Sequence, residues 1–160
     1  MRRQTADRVH TLEIPIGGLS LLLPSATIAE VVSAPELSRV PLAQPWLIGA
    51  IGWRTLAVPV VSFSALLGGA PSARAVGSKV VILYPLPGRA DWEFVGLLTA
   101  SEPRPRSIDG GEVVAIEASD LPDSPYIASG LKHRGTVLAI PDLDAVKAVF
   151  YPGGGKGVVS

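Results

Sequence analysis

Pro45-Trp46-Leu47-Ile48-Gly49-Ala50-Ile51-Gly52-Trp53-Arg54-Thr55-Leu56-Ala57-Val58-Pro59-Val60-Val61-Ser62-Phe63 is the stretch on which the reading of this chain turns. It opens on a proline and an aromatic residue and runs as an apolar strand to a polar-tipped turn at Arg54-Thr55. A second strand returns from Leu56 to Val61. Two apolar runs about a short turn read as a hairpin. Ser62 can then cap a brief helix through Leu67, which Gly68-Gly69 would end. The same order recurs later in the chain. Arg54 and Arg134 differ by 80 positions (134 − 54), and that offset also pairs Pro45 with Pro125, Trp46 with Tyr126 and Leu47 with Ile127. It pairs Val58 with Leu138, Val60 with Ile140 and Phe63 with Leu143 as well. Apolar matches alone are weak evidence, but a shared order of Pro-aromatic, Arg turn and capped helix in one register argues for duplication.

Working outward, strands dominate. Thr11 to Ile16, the pair Gly17-Gly18, and Leu19 to Leu23 form a hairpin with a tight turn. Thr27 to Val32 is a short β-branched strand, followed by a connection punctuated by Pro35 and Pro41. In the second half, Lys79 to Leu86 and Trp92 to Leu98 flank a turn at Pro87-Gly88-Arg89. Val80-Val81-Ile82-Leu83 hardly alternates, so both of its faces are expected to be covered. Glu102 to Arg106, with two prolines, reads as a loop, Asp109-Gly110-Gly111 as a turn, and Glu112 to Glu117 as a strand. Tyr126 leads to the turn at Arg134-Gly135 and the strand Thr136 to Ile140, and Asp142 can cap a last helix through Phe150. The fold class is therefore all-β: two small barrels of about five strands, packed together, with short helices. Subdomain 1 is expected at about 11–70 and subdomain 2 at about 78–150, with a terminal strand open to exchange between them. Residues 152–160, with four glycines, read as a flexible tail.

Composition narrows the function. At 160 residues the chain can bury a core without a disulfide or a metal. Lys plus Arg, 14, equals Asp plus Glu, 14, which removes the usual electrostatic case for nucleic acid or a membrane surface. There is no cysteine, so no thiol chemistry, and no apolar run approaches the length of a membrane span. Met1-Arg2-Arg3 is followed by Asp7, Arg8, His10 and Glu13 rather than an apolar signal core. A soluble cytoplasmic protein is the expectation.

The chemical motifs mostly fail. His10 and His133 show no ligand spacing, so no metal is expected and both read as surface or structural residues. Gly153-Gly154-Gly155-Lys156-Gly157 resembles a phosphate loop, but only Val158-Val159-Ser160 follows it, not a helix. No Gly-x-Ser-x-Gly elbow occurs, and nothing favours one carboxylate pair over another for glycoside chemistry. No catalytic residue and no cofactor are expected. A small barrel could bind a single strand through Trp53, Arg54, Lys132 and Arg134, but neutral charge and 6% aromatics count against it. Trp53 beside Arg54 has two readings: an exposed interaction anchor, or a plug at a barrel end with Arg54 solvated.

Ile28-Ala29-Glu30-Val31-Val32, Pro41, Pro45-Trp46-Leu47-Ile48-Gly49 and the run from Arg54 to Phe63 with Leu66-Leu67-Gly68 resemble the CheW-like chemotaxis family. The second half matches at Val95-Gly96-Leu97-Leu98 and from Pro125-Tyr126-Ile127 to Asp142-Leu143, so the likeness runs from about Thr11 to Tyr151. The resemblance implies two SH3-like barrels and a non-catalytic adaptor. Its implied partners are the regulatory domain of a CheA-type histidine kinase and the cytoplasmic tip of a methyl-accepting chemoreceptor, with no direct membrane insertion. The partner-binding positions it implies are Ile28, Glu30 and Arg54, with Trp53 beside them. Thr55 stands where the family's turn has glycine, Gly52 where it has Asn, and Ser62 where its helix cap has Asp. A Trp-Arg turn with a Ser-Phe cap looks more like the divergent pilus-associated (ChpC-like) adaptors than the flagellar one. The second copy keeps Arg134-Gly135 and Asp142-Leu143. On this basis the first turn is expected to meet partners and the second to complete the structure. The alternative from another class is a small-barrel ligand- or single-strand-binding protein.

Overall fold

The structure is a computed structural model and describes residues 8–33, 37–39, 44–70, 77–86 and 93–150. The expectations at Pro35, Pro41, Pro87-Gly88-Arg89, Trp92 and the 152–160 tail lie outside these residues. In chain order come β1 (Arg8–Pro15), β2 (Ser20–Pro24), β3 (Ile28–Ser33), β4 (Leu47–Trp53) and β5 (Leu56–Val61), then the short helix α1 (Phe63–Leu66). Next are β6 (Lys79–Leu83), β7 (Val95–Leu98), β8 (Arg104–Asp109), β9 (Val113–Ala115), β10 (Ile127–His133), β11 (Thr136–Pro141) and α2 (Leu143–Ala148). Gly17 and Gly18 have φ of 93° and 76°, the left-handed pair that a two-residue hairpin loop between β1 and β2 demands.

The strands form two sheets, ordered β8-β1-β2-β11-β10-β9 and β3-β6-β7-β5-β4. The second order maps onto the first five places of the other, each with one parallel contact, β5 to β7 and β2 to β11. Both sheets close. β8 and β9 are opposite edges of their sheet, yet only the three-residue 3-10 turn Gly110–Glu112 separates them, so the sheet must curl to bring its edges together. In the other sheet Ser38, just beyond β3, bridges Ala50 of β4 through bonds of 2.8 and 2.9 Å. Two small SH3-like barrels result, as the sequence pattern leads one to expect.

Local chemistry supports the duplication at the predicted offset. The Ser62 N–H donates to the Trp46 carbonyl at 2.8 Å, and the Asp142 N–H donates to the Tyr126 carbonyl at 2.9 Å. The Ser62 hydroxyl caps α1 by accepting from the Ala65 N–H, and the Asp142 carboxylate caps α2 by accepting from the Ala145 N–H. A β-bulge falls between Leu47 and Gly49 in one copy and between Ile127 and Ser129 in the other. Three features thus repeat in one register.

The largest core cluster lies between the barrels rather than inside either. It joins Ile14, Leu21, Leu23 and Ala139 from one sheet, and Ile16 just after β1, to Val61, Val81, Leu83, Val95 and Leu97 from the other, with Phe63 and Val146 from the helices. Period-two alternation explains β6: Val80 and Ile82 point into their own barrel, Val81 and Leu83 toward the other. That double burial is why its sequence does not alternate. Lys147 of α2 is fully buried and donates to the Tyr84 carbonyl. Burial lowers its ammonium to about 8, against a smaller opposing pull from Asp144.

Three expectations are corrected. The segment from Glu102 to Arg106, expected as a loop, enters strand β8, which pairs with β1 from Arg8↔Asp109 to Glu13↔Arg104. Its prolines misled because a proline is excluded only from central strands, whereas β8 is an edge. The strand expected from Glu112 to Glu117 shrinks to Val113–Ala115, since 3-10 turns take both of its flanks. Nor do the sheets divide the chain between 70 and 78. β1 and β2 join the strands after residue 103, and β6 and β7 join β3, β4 and β5.

Candidate functional site

The β4–β5 loop is two residues long, so both Arg54 and Thr55 adopt left-handed backbone, φ 48° and 65°. The turn places the Arg54 guanidinium over the Trp53 ring, 4.4 Å from its centroid. Trp53 is only 7% exposed and sits in the first barrel's interior with Ile51, Val58, Val60, Val80, Ile82 and Leu98. Phe94 meets it edge-on at 4.8 Å. Trp53 is therefore the plug of the barrel end, and the exposed-anchor reading does not hold for its ring.

Its indole still has a polar task. Trp53 Nε1–H donates to Glu30 Oε1 at 2.9 Å, and Arg54 Nη2 lies 3.5 Å from the same oxygen. A buried ring and a surface guanidinium thus fix one face of a carboxylate whose side chain is still 45% exposed. Arg54 is 64% exposed. The result is a charged pair held in one geometry at the barrel end, with Leu56, an exposed apolar residue, two positions beyond Arg54.

Of the four residues singled out in the sequence, the structure brings together Glu30, Trp53 and Arg54 but not Ile28. Residues two apart on a strand normally share a face. A bulge between Ile28 and Glu30 breaks that rule. Ile28 pairs with Leu83 and packs on the cluster between the barrels, whereas Glu30 pairs with Ile82, whose side chain points into the first barrel.

The second barrel carries a copy of the arrangement. His133, 2% exposed, takes the place of Trp53, and its Nε2 lies 3.2 Å from Glu112 Oε1. Arg134, φ 51°, reaches Glu112 Oε2 at 2.8 Å. These bonds, Arg134 first and His133 second, hold the Glu112 carboxyl down at about 2. Inward, Arg106 donates from Nε to buried Glu13 at 2.8 Å and from Nη1 to His133 Nδ1 at 2.8 Å. A guanidinium only donates, so His133 must accept at Nδ1 and carry its proton on Nε2 toward Glu112. The Thr11 hydroxyl holds the Arg106 carbonyl at 2.7 Å. Sequence reading did not find Glu13, Arg106 or Glu112. The available signal was Glu13 itself, a charge flanked by Leu12 and Ile14 in an apolar strand.

Among the described residues no cluster of His, Cys, Asp or Glu could hold a metal ion, and no helix is long and apolar enough to cross a membrane. The model of the family described as CheW-like domain matches residues 10–149. The crystal structure of the scaffolding protein TtCheW from Thermoanaerobacter tengcongensis is similar in fold. Its TM-score is 0.72 over 89% of this chain and 90% of that one, at 15% identity. No curated protein matches the sequence.

Proposed function

Because the chain belongs to the CheW-like domain family, we propose that it is a non-catalytic chemosensory adaptor coupling chemoreceptors to a CheA-type histidine kinase. The observation that carries this reading is the exposed Glu30–Arg54 pair, held in place by a buried indole. A charged contact fixed before binding loses less side-chain entropy when a partner arrives. Arg54 would donate to a partner carboxylate or carbonyl, and Glu30 would fix its direction. Ile28, on the other face of β3, would reach a partner only where that partner also runs along the groove between the barrels. Such a protein would sit in the cytoplasm beside membrane-associated receptor arrays. Its part is coupling: it biases the kinase according to receptor state.

The Trp53-Arg54-Thr55 turn and the Ser62 cap favour a pilus-associated, twitching-motility pathway over a flagellar one. Deleting the gene should then abolish directed twitching and leave swimming bias intact; the reverse pattern would overturn this assignment.

Co-purification with the kinase regulatory domain and a receptor tip fragment tests the adaptor reading. Retention of both is expected at micromolar concentration. Arg54→Ala and Glu30→Lys should each weaken at least one of the two contacts by tenfold or more, about 1.4 kcal/mol. Retention of neither partner would sink the adaptor reading. Unchanged binding in both variants would sink the site.

A further inference from the structure

Arg8, Arg104, Arg106 and Arg134 line a single cleft of about 360 Å³, with Glu13 and His133 on its wall. Four of the 14 basic residues of a neutral chain therefore border one cleft. Two of them are neutralised internally, Arg106 by Glu13 and Arg134 by Glu112, each at 2.8 Å. The other two are not. Arg104 is exposed and has no ion pair among the described residues, and Arg8 reaches only the Ser107 carbonyl and hydroxyl, at 3.4 Å each. Four guanidinium groups against two carboxylates leave a formal excess of two positive charges (4 − 2).

The duplicated fold supplies an internal control. β8 and β1 correspond to β3 and β6 of the other barrel. That pair carries one basic residue, Lys79, which is ion-paired with Glu102 at 3.4 Å. Barrel geometry does not require arginine here, and crowding like charges is unfavourable unless something offsets it.

We infer that this cleft is a binding site for a dianionic oxyanion of the phosphate type. Guanidinium forks match tetrahedral phosphate oxygens and can engage them two at a time. The charge excess of two equals that of a phosphate dianion, whereas a single carboxylate would offset half of it. Arg106 is already fixed by Glu13, His133 and Thr11, so one wall of the site is preorganised, while Arg104 and Arg8 supply the charge that no carboxylate neutralises. The inference does not depend on the adaptor reading.

Titration of the full chain with inorganic phosphate, against chloride at matched ionic strength, tests it by calorimetry and by melting midpoint. One saturable site and a raised midpoint are expected. Arg104→Ala and Arg8→Gln, both on exposed strand positions, should each weaken binding about tenfold or more, the loss of one charged hydrogen bond. Lys79→Ala, a basic residue outside the cleft, should bind as the unaltered chain does. Phosphoserine in place of phosphate separates the two sources: affinity at least as high assigns a phosphorylated side chain, lower affinity the free ion. Absence of saturable binding, or unchanged binding in both arginine variants, would overturn the site.

Discussion

Thr55 shows how much a single residue can reveal about a turn. Its φ of 65° is one that a β-branched side chain rarely adopts, and the second copy puts Gly135 at the equivalent place with φ 83°. Thr55→Gly should therefore stabilise the fold by about 1 kcal/mol in urea unfolding. An unchanged or lower midpoint would show that the turn is not strained. Glu112 yields a pH prediction. Its folded pKa of about 2 lies below its ordinary 4.5, so the clamp stabilises fully above 4.5 and is lost as pH falls from 4.5 toward 2. Arg134→Ala should flatten that acid limb. An acid limb of undiminished steepness in the variant would count against the clamp. At this scale the sequence was half legible. Arg54 and Trp53 stand out by type, whereas Glu112 is an ordinary charged residue until the fold brings Arg134 and His133 to it.

At the scale of elements, hairpins and caps were the legible part, because turn residues and N-cap residues act locally. Gly17-Gly18, Ser62 and Asp142 each do in the structure what their chemistry dictates. Features set by distant neighbours were not legible. β8 is a strand because β1 pairs with it from some 95 positions away, as the Thr11–Arg106 bond shows. Nor does any local pattern announce the bulge that sends Ile28 and Glu30 to opposite faces. Gly49 lies between these cases. A β-carbon there would stand 2.8 Å from the Ser38 carbonyl oxygen, so the glycine is what lets the chain beyond β3 close the barrel. Gly49→Ala should cost about 1–3 kcal/mol. Gly52, on the same strand with open space around it, is the control and should tolerate alanine better. Equal losses at both positions would refute the closure argument.

For the whole molecule, the main apolar cluster between the barrels makes them interdependent. A fragment spanning residues 25–100 holds all five strands of one barrel, yet it would expose Val81, Leu83, Val95 and Leu97. We expect that fragment to aggregate or remain partly unfolded, and the full chain to unfold in one transition by fluorescence and circular dichroism alike. A soluble fragment with a cooperative melt of its own would contradict this. The duplication itself was legible, since its register is written in residues 80 apart. Exchange of a terminal strand was open in the sequence, but its extent, the whole β1–β2 hairpin, was not legible, because nothing in β1 or β2 says which barrel will take them. That exchange has a consequence during synthesis. The β1–β2 hairpin emerges before the other strands; β8 begins 80 residues after β2 ends (104 − 24) and β11 begins 112 after it (136 − 24), a wait of roughly 4–22 s at ordinary ribosome speeds. Through its Ile14, Ile16, Leu21 and Leu23, the hairpin can meanwhile shelter the apolar flank of the barrel that emerges next. The N-terminal hairpin is thus placed to serve as a built-in chaperone for the newborn chain.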